Sequence, residues 1–548
     1  MVLDSLLSRF SKIELLEFLD ENIKDYYSLR EISFEKLFNY IKDNFVGILK
    51  VDKFRYKLGQ KLTQEELKEI DDYGIILSKN DNKTINLLLS FFGFEIIEYK
   101  TVVKEQFVNQ VIEQKFYELL DYQFVIKNKI INFIEFKEKN NSFLNRMIIH
   151  MPTGTGKTKT SMHIIAQYYN DRKCKGNILW LAHSTELLNQ AMKTFKNVWS
   201  VLGSTSVTCY IQDITEVKDE KAIYFLNYQK LISLFKNKPE IINEFIRNTS
   251  MIVCDEAHKC LAKESRKVIE KIMTKHDLDT NKCLLGLTAT PGRKFNDYLD
   301  DGENSELALM FDKNITSIKP STLSVIGYDD IITSEIYGNI FRNDSAVIKY
   351  FQDRRILSKI RREELYYDPN ITQKVENDYF SKKGLKKDFA LNCISALGTI
   401  KERNIAIVEK LIELNEKNIP TIFFSCSNAH GKLISNLLSL HGIKNFAVFG
   451  DTPDAIRASK IKEFENGEFN ILINYEILAT GFDSPNIKCV FISRPTNSIV
   501  LYSQMLGRGL RGPKMGGNEE CLLIDVKDNL KKFNDENFAF SYFNEYWR

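Results

Sequence analysis

Two hydrophobic periods alternate along this chain. In SKIELLEFLDENI, from Ser11, and SFEKLFNYIKDNF, from Ser33, apolar residues recur at helical spacing. Residues 1–105 are therefore predicted to be a separate helical domain. From 106 to 295 short apolar runs take over: RMIIHM, NILWLA, AIYFLNY, MIVCDEA and CLLGLTA, with helical stretches between them. The same alternation returns over 401–548 in TIFFSCS, NFAVFG, FNILINYE, KCVFISRP and ECLLIDV. Strands alternating with helices imply a parallel sheet covered on both faces. Residues 296–400 are charged and mixed, too long for a simple linker, and read as an insertion between the two units. Within it QDRRILSKIRREEL, from Gln352, reads as helical. The expected fold class is α/β: two parallel-sheet lobes, an N-terminal helical domain and an inter-lobe insertion. Little chain remains after the second unit, so no C-terminal accessory domain is expected.

Composition narrows the function classes. The 548 residues are 43% hydrophobic and 27% charged, as in proteins with large buried cores. A net charge of +3 leaves any nucleic-acid contact to local clusters of Lys and Arg. The apolar runs are strand-length, far short of the ~20 residues of a membrane span. The start, MVLDSLLSRF, carries Asp4 and Arg9 and lacks the pattern of a signal peptide. The nine cysteines form no CxxC pair, which argues against a disulfide framework or zinc site. A cytoplasmic protein with no membrane partner is expected.

The chemistry is concentrated in a few strand ends. MPTGTGKT, Met151 to Thr158, lies between the strand RMIIH and the helical run TKTSMHIIAQYY. A glycine-rich turn there aims backbone N–H groups and the positive helix end at phosphate. Thr153, Gly154, Thr155 and Gly156 form the turn. Lys157 would reach the β- and γ-phosphates, and the Thr158 hydroxyl would bind Mg2+. Met151 stands where the general phosphate-loop pattern begins with glycine. About a hundred residues on, VCDEAHK ends an apolar run. Asp255 can hold the magnesium shell while Glu256 orients or deprotonates the attacking water. His258 is too far along for that work and suits a link to other segments. In LLGLTATPGR, Thr288 and Thr290 could relay the state of the γ-phosphate or simply cap a helix.

GTGKT, DEAH and TATP, followed by LATGFDSP (Leu478 to Pro485) and QMLGRGLRG (Gln504 to Gly512), resemble the motif series of superfamily-2 helicases. The wording of the last two is similar to type III restriction motor subunits and DNA repair helicases. The resemblance implies two RecA-like lobes with ATP between them. It implies that Gln123, in LLDYQ, reads the adenine edge, since a carboxamide both donates and accepts, with Phe116 or Tyr117 stacked on the base. Gly481 and Asp483 would touch ATP. Gln504, Arg508 and Arg511 would face the γ-phosphate across the cleft, where arginine forks onto phosphate oxygens.

The same resemblance assigns nucleic-acid contacts to Ser184 and Thr185 in LAHSTELLNQ, Tyr228 and Gln229 in NYQKL, Ser425 in FFSCSNAHGKL, and Thr480. Several have plainer readings: Ser184 or Thr185 as a helix cap, NYQKL as an ordinary surface turn. Lys382, Lys383, Lys386 and Lys387 read as a solvated loop or a nucleic-acid path. Arg354, Arg355, Arg361 and Arg362 could grip a backbone or pair with Glu363 and Glu364. The expected activity is an ATP-dependent helicase or translocase using ATP and Mg2+. The restriction-like wording tilts the substrate to DNA over RNA, and the N-terminal region would dock a protein partner or regulate. Alternatives are a duplex translocase that separates no strands and an ATP-gated nucleic-acid sensor.

Overall fold

The computed structural model describes residues 2–19, 21–24, 26, 32–79, 81–92, 104–107, 118–139, 144–170, 176–212, 214, 216, 217, 221–274, 282–292, 303–318, 345–367, 391–479, 484, 486–496 and 498–527. Two sheets organise them. The first contains β1 (Lys104–Phe107), β2 (Leu144–His150), β3 (Asn177–Ala182), β4 (Val207–Ile211), β5 (Ala222–Asn227), β6 (Thr249–Asp255), β7 (Lys282–Thr288) and β8 (Ile315–Ser317). Their spatial order is β1-β4-β5-β3-β6-β7-β2-β8. All neighbours are parallel except β1, which lies antiparallel on β4.

Every residue of β3, β6 and β7 is buried. Side chains alternate across a strand, so both faces need cover. Ile178 and Trp180 of β3 pack with the helices Lys157–Asn170 and Thr185–Leu202. Leu179 and Leu181 pack on the other side with Tyr228–Asn237, Pro239–Asn248 and Lys263–Ile272.

The second sheet contains β9 (Lys359–Leu365), β10 (Thr421–Phe424), β11 (Asn445–Val448), β12 (Ile471–Asn474), β13 (Cys489–Ile492) and β14 (Glu520–Val526). It is all-parallel in the order β11-β12-β10-β13-β14-β9. These are the two parallel-sheet lobes that the alternating pattern predicts, and they have the RecA-like form that the resemblance implies. The stretch 296–400 is more than an insertion, because it supplies β8 to the first sheet and β9 to the second. The run from Gln352 is accordingly not one helix. A helix, Ser345–Asp353, ends there, and KIRREEL is strand β9. Among the described residues β9 is an edge strand that pairs with β14 alone and keeps most of its residues exposed, so charged residues are tolerated where a central strand would exclude them. Lys382, Lys383, Lys386 and Lys387 lie outside the described residues.

Among the described residues, eight helices between Val2 and Phe91 fill the N-terminal region. Helical spacing buries Leu37, Tyr40 and Ile41 of Phe34–Asp43 on one side, and Ser33 caps that helix by accepting from the Lys36 N–H. Ser11 with Glu14, and Thr63 with Glu66, form reciprocal capping boxes. This region is not separate from the second lobe. Its buried residues, Leu37 and Ile41 among them, share one core with Ile407 and Leu411 of the helix Lys401–Glu416 and Ile434 and Leu437 of the helix Asn428–Leu440. The N-terminal helices therefore sit on the second lobe, while β1 returns the chain to an edge of the first.

Candidate active site

The phosphate loop leaves the C-terminal end of β2, where crevices of parallel sheets bind ligands. Its start is tied to the end of β7: the Met151 N–H donates to the Thr288 carbonyl (3.2 Å), and His150 Nε2 lies 3.2 Å from the Ala289 carbonyl. Gly154 and Gly156 have φ of 82° and 84°, the left-handed region open to glycine. The Thr155 hydroxyl closes the turn on the Pro152 carbonyl at 2.7 Å. Lys157 begins the following helix, and its ammonium donates to the carbonyls of Met151 (3.1 Å) and Pro152 (3.3 Å). Burial pulls the Lys157 pKa down, Glu256 and Asp255 pull it back up, and Arg508 opposes them.

Facing the loop, β6 ends at Asp255. Burial, with repulsion from Glu256, pushes the Asp255 carboxyl up to about 7 despite Lys157. Glu256 sits at φ 53°, a conformation that costs a non-glycine residue roughly 1–2 kcal/mol. That turn directs its N–H to Asp255 Oδ1 at 3.1 Å. Its carboxylate lies 3.6 Å from His258 Nδ1, on the short 3₁₀ turn Ala257–Leu261. Thr288 and Thr290 bond reciprocally: the Thr290 N–H donates to Thr288 Oγ1 (3.0 Å), which donates to the Thr290 carbonyl (2.7 Å).

The second lobe closes on this corner. The helix Ile499–Leu506 delivers Gln504, whose Nε2 is buried with no hydrogen-bond partner among the described residues. Arg508 Nε donates to the Gln504 carbonyl at 3.2 Å. A Cβ on Gly507 would stand 2.8 Å from Thr153 Cβ, and one on Gly154 would stand 3.7 Å from Arg511 Cα. Arg511 is anchored through its carbonyl, which accepts from Ser358 Oγ (2.6 Å) and the Asn518 N–H (3.0 Å). Lys157, Asp255, Glu256 and Arg508 thus share one electrostatic neighbourhood, although the last lies more than 250 residues beyond each of the others.

Other expected site residues are placed differently. Gln123 is fully buried and spends its carboxamide on the loop: Nε2 donates to the Thr155 carbonyl (2.9 Å), and Oε1 accepts from the Leu120 N–H (2.9 Å). Tyr122 Oη donates to the same Thr155 carbonyl at 2.7 Å. Tyr228 does not face outward. Its hydroxyl reaches the Asp255 carbonyl (3.3 Å) and Cys260 Sγ (3.4 Å), so it supports the DEAH strand, and Gln229 is the exposed neighbour. Ser425 is buried too, bonding the carbonyls of Ser427 (2.9 Å) and Asn474 (3.1 Å), which takes its hydroxyl away from any nucleic acid. Ser184 caps the helix Thr185–Leu202 by accepting from the Leu187 N–H at 3.3 Å. Phe116, Tyr117, Thr480, Gly481 and Asp483 lie outside the described residues.

Three features escaped the sequence reading. The segment Ser345–Leu357 wedges beside the loop: Phe351 lies edge-on to Tyr122 with ring centroids 5.0 Å apart, and a Cβ on Gly154 would stand 3.4 Å from Leu357. Its mixed charge concealed that role. His183, at the turn after β3, feels Glu256 and is held neutral by burial, its pKa pushed down to about 4. Finally, Arg457 of the helix Asp454–Glu465 pairs with Glu186, joining the second lobe to the first turn after Ser184.

Two α/β lobes with a phosphate loop, paired carboxylates and a facing arginine turn define a helicase-type ATPase, and the comparisons agree. The family described as type III restriction enzyme, res subunit, matches residues 116–293, and the helicase conserved C-terminal domain matches residues 403–512. The chain belongs to the superfamily-2 ATP-dependent helicases and resembles restriction motor subunits. It is 27% identical over 388 residues to "Putative ATP-dependent helicase IRC3" of Saccharomyces cerevisiae, covering 69% of this chain and 48% of that protein. It is 24% identical over 537 residues to "Putative helicase 22" of a Sulfolobus islandicus filamentous virus, covering 94% of this chain and 84% of the viral protein. The type I restriction enzyme EcoKI endonuclease subunit of Escherichia coli is 23% identical over 389 residues, 67% of this chain and 31% of that subunit. The chain thus spans about half the length of the yeast relative. No helix among the described residues is long and apolar enough to cross a membrane.

Proposed function

We propose that this chain is an ATP-driven motor on DNA, in which hydrolysis between the lobes moves them along the strand. The observation that carries this reading is the contact of the turn Gly507–Arg511 with the phosphate loop. Charges from both lobes meet at one corner, so the hydrolytic site is complete only when the lobes close. Gln504 Nε2, a buried donor with no partner among the described residues, suits an anion there. Lys157 and the turn Thr153–Gly156 suit the phosphates. Mg2+ fits the same corner, because Asp255 is crowded by Glu256 and buried; Asp255 and the Thr158 hydroxyl would hold it. Bound there, the ion would neutralise charge developing on the phosphates. Glu256 orients the water, and Arg508 and Arg511 stabilise the leaving charge from across the cleft.

DNA is favoured over RNA by the descriptions of the matching restriction family and the EcoKI relative. Ser184, Thr185, Gln229 and Thr480 are the candidates to meet its backbone. Backbone contacts carry no base information, so tracking should be sequence-independent and salt-sensitive. We place the chain in the cytoplasm, as its scattered cysteines suggest. The test is ATP turnover with duplex DNA, single-stranded DNA and RNA in parallel. Stimulation by DNA supports the reading. Equal rates with and without every nucleic acid would overturn it.

A further inference from the structure

Among the polar contacts between the N-terminal helices and the second lobe, one is built on a buried asparagine. Asn404, wholly buried, donates from Nδ2 to the Gly398 carbonyl (2.8 Å) and to the hydroxyl of Tyr26 (2.9 Å). Both amide protons are then used, so its Oδ1 must accept, and it faces His430 Nε2 at 3.0 Å. His430 Nδ1 accepts the Cys426 backbone N–H at 3.0 Å, which puts the imidazole proton on Nε2. The bond directions from Asn404 through His430 to Cys426 are thereby fixed. The ring is buried beside Arg403, which disfavours a second proton.

Beyond His430 the bonds spread to two functional segments. Cys426 lies in the turn after β10, and its Sγ reaches the Ser493 carbonyl at 3.1 Å. Arg403, wholly buried, donates to the same carbonyl and to Cys426 Sγ. Ser493 Oγ in turn donates to the Phe424 carbonyl at 2.8 Å. Ser493 follows β13 directly and leads into the helix Ile499–Leu506, which carries Gln504 and is followed by Arg508 and Arg511. Buried networks of this kind specify geometry because a missing partner leaves a costly orphan.

We propose that Tyr26 is a positioning residue that sets the turn after β10 and the approach to Arg508 and Arg511 through Asn404, His430, Cys426, Arg403 and Ser493. The proposal rests on the reading of those arginines as stabilisers of hydrolysis. It makes the N-terminal helices part of the engine's alignment. Whatever shifts them relative to the second lobe shifts the arginine turn.

The test uses the full chain with Tyr26→Phe, which removes the hydroxyl alone, and Tyr56→Phe as a control at an exposed tyrosine of the same region. Three readouts are taken: DNA-stimulated kcat with KM for ATP, the unfolding temperature, and hydrogen exchange of the Cys426 amide. Tyr26→Phe should lower kcat roughly three- to tenfold, keep KM within about twofold, and leave the unfolding temperature within about 2 °C. Exchange at Cys426 should quicken, while Tyr56→Phe changes nothing. Unchanged kcat and unchanged exchange overturn the proposal. So does a loss of activity matched by loss of folded protein. A wild-type chain that hydrolyses no ATP would instead refute the functional reading. Cys426 exchange would then still decide whether Tyr26 governs the turn.

Discussion

Replacing Gly507 with alanine should separate closing of the lobes from stability of the lobes. Gly507 has φ −57° and ψ −18°, so alanine is allowed by the backbone. The new Cβ, however, would stand 2.8 Å from Thr153 Cβ and Cγ2 and 3.0 Å from the Ser503 carbonyl. Carbon atoms prefer about 3.5–4.0 Å, so the turn must retreat by roughly 1 Å. Thr153 belongs to the other lobe, and the simplest retreat is to open the cleft. Overpacking costs about 1–3 kcal/mol. Applied to the closed state alone, that lowers its population roughly 5- to 150-fold. DNA-stimulated kcat should fall by that factor, ATP affinity of the first lobe should change little, and the unfolding temperature should hold. Gly286 in β7 is the comparison: its Cβ would meet Phe311 at 2.8 Å, and Ala257 and Ile148 at 2.9 Å, all inside the first lobe. Gly286→Ala should therefore lower the unfolding temperature. Steady-state turnover, binding of a fluorescent ATP analogue and thermal unfolding read all of this. If Gly507→Ala turns over at the wild-type rate, or loses stability as Gly286→Ala does, the closed interlobe site is wrong.

Three further outcomes are expected. Glu256→Gln should keep ATP binding and drop turnover by roughly 10²–10⁴, because it removes a base while sparing Asp255; near-normal turnover would take Glu256 out of that role. Gln123→Ala loses the bonds to Thr155 and Leu120, each worth about 0.5–1.5 kcal/mol. It should weaken ATP and GTP binding together; a loss confined to ATP would show the carboxamide leaving the loop to read adenine. Arg9 holds the Glu66 carboxyl down at about 2, and the Ser11 N–H with Lys61 does the same for Glu14. Both are depressed in the fold, so their contribution is complete above about pH 4.3, the unfolded value, and is lost as pH falls toward 2. Arg9 and Glu66 are partly exposed, with 30% and 20% of their side-chain surface accessible, so the pair contributes at most about 1 kcal/mol. Glu66→Gln should therefore destabilise at pH 7 and cost little at pH 2.5 in thermal unfolding; an equal cost at both would remove the ion pair as its source.

What the sequence showed depended on how local each feature was. Strands such as NILWLA and MIVCDEA were legible because cover on both faces removes alternation, and the phosphate loop because its strand, turn and helix are contiguous. KIRREEL reads as a helix but forms strand β9 because an edge strand tolerates the charges of a helix surface. Tyr228 and Ser425 are given nucleic-acid contacts by resemblance, because a strand end resembles a surface until its neighbours are known. Gln123 is assigned to adenine by resemblance, and the structure adds a partner no local pattern shows, the Thr155 carbonyl 32 residues along the chain. The seat of the N-terminal helices was invisible for a stronger reason. Helical periodicity shows that a face is buried but not against what, and Tyr26 meets Asn404 across 378 residues.

The central claim is that two lobes supply one hydrolytic site, and Arg511→Ala tests it most directly. Lys157, Asp255 and Glu256 stay in place in that variant, so ATP should still bind. A cross-site arginine is worth roughly 10³–10⁵ in rate in other phosphate-cleaving enzymes, and the lower end is expected where Arg508 shares the load. The measurement is ATP turnover with saturating duplex DNA, beside nucleotide affinity, for wild type and Arg511→Ala. The account predicts near-normal affinity with stimulated turnover lost. Wild-type turnover in Arg511→Ala, with DNA present, would contradict it.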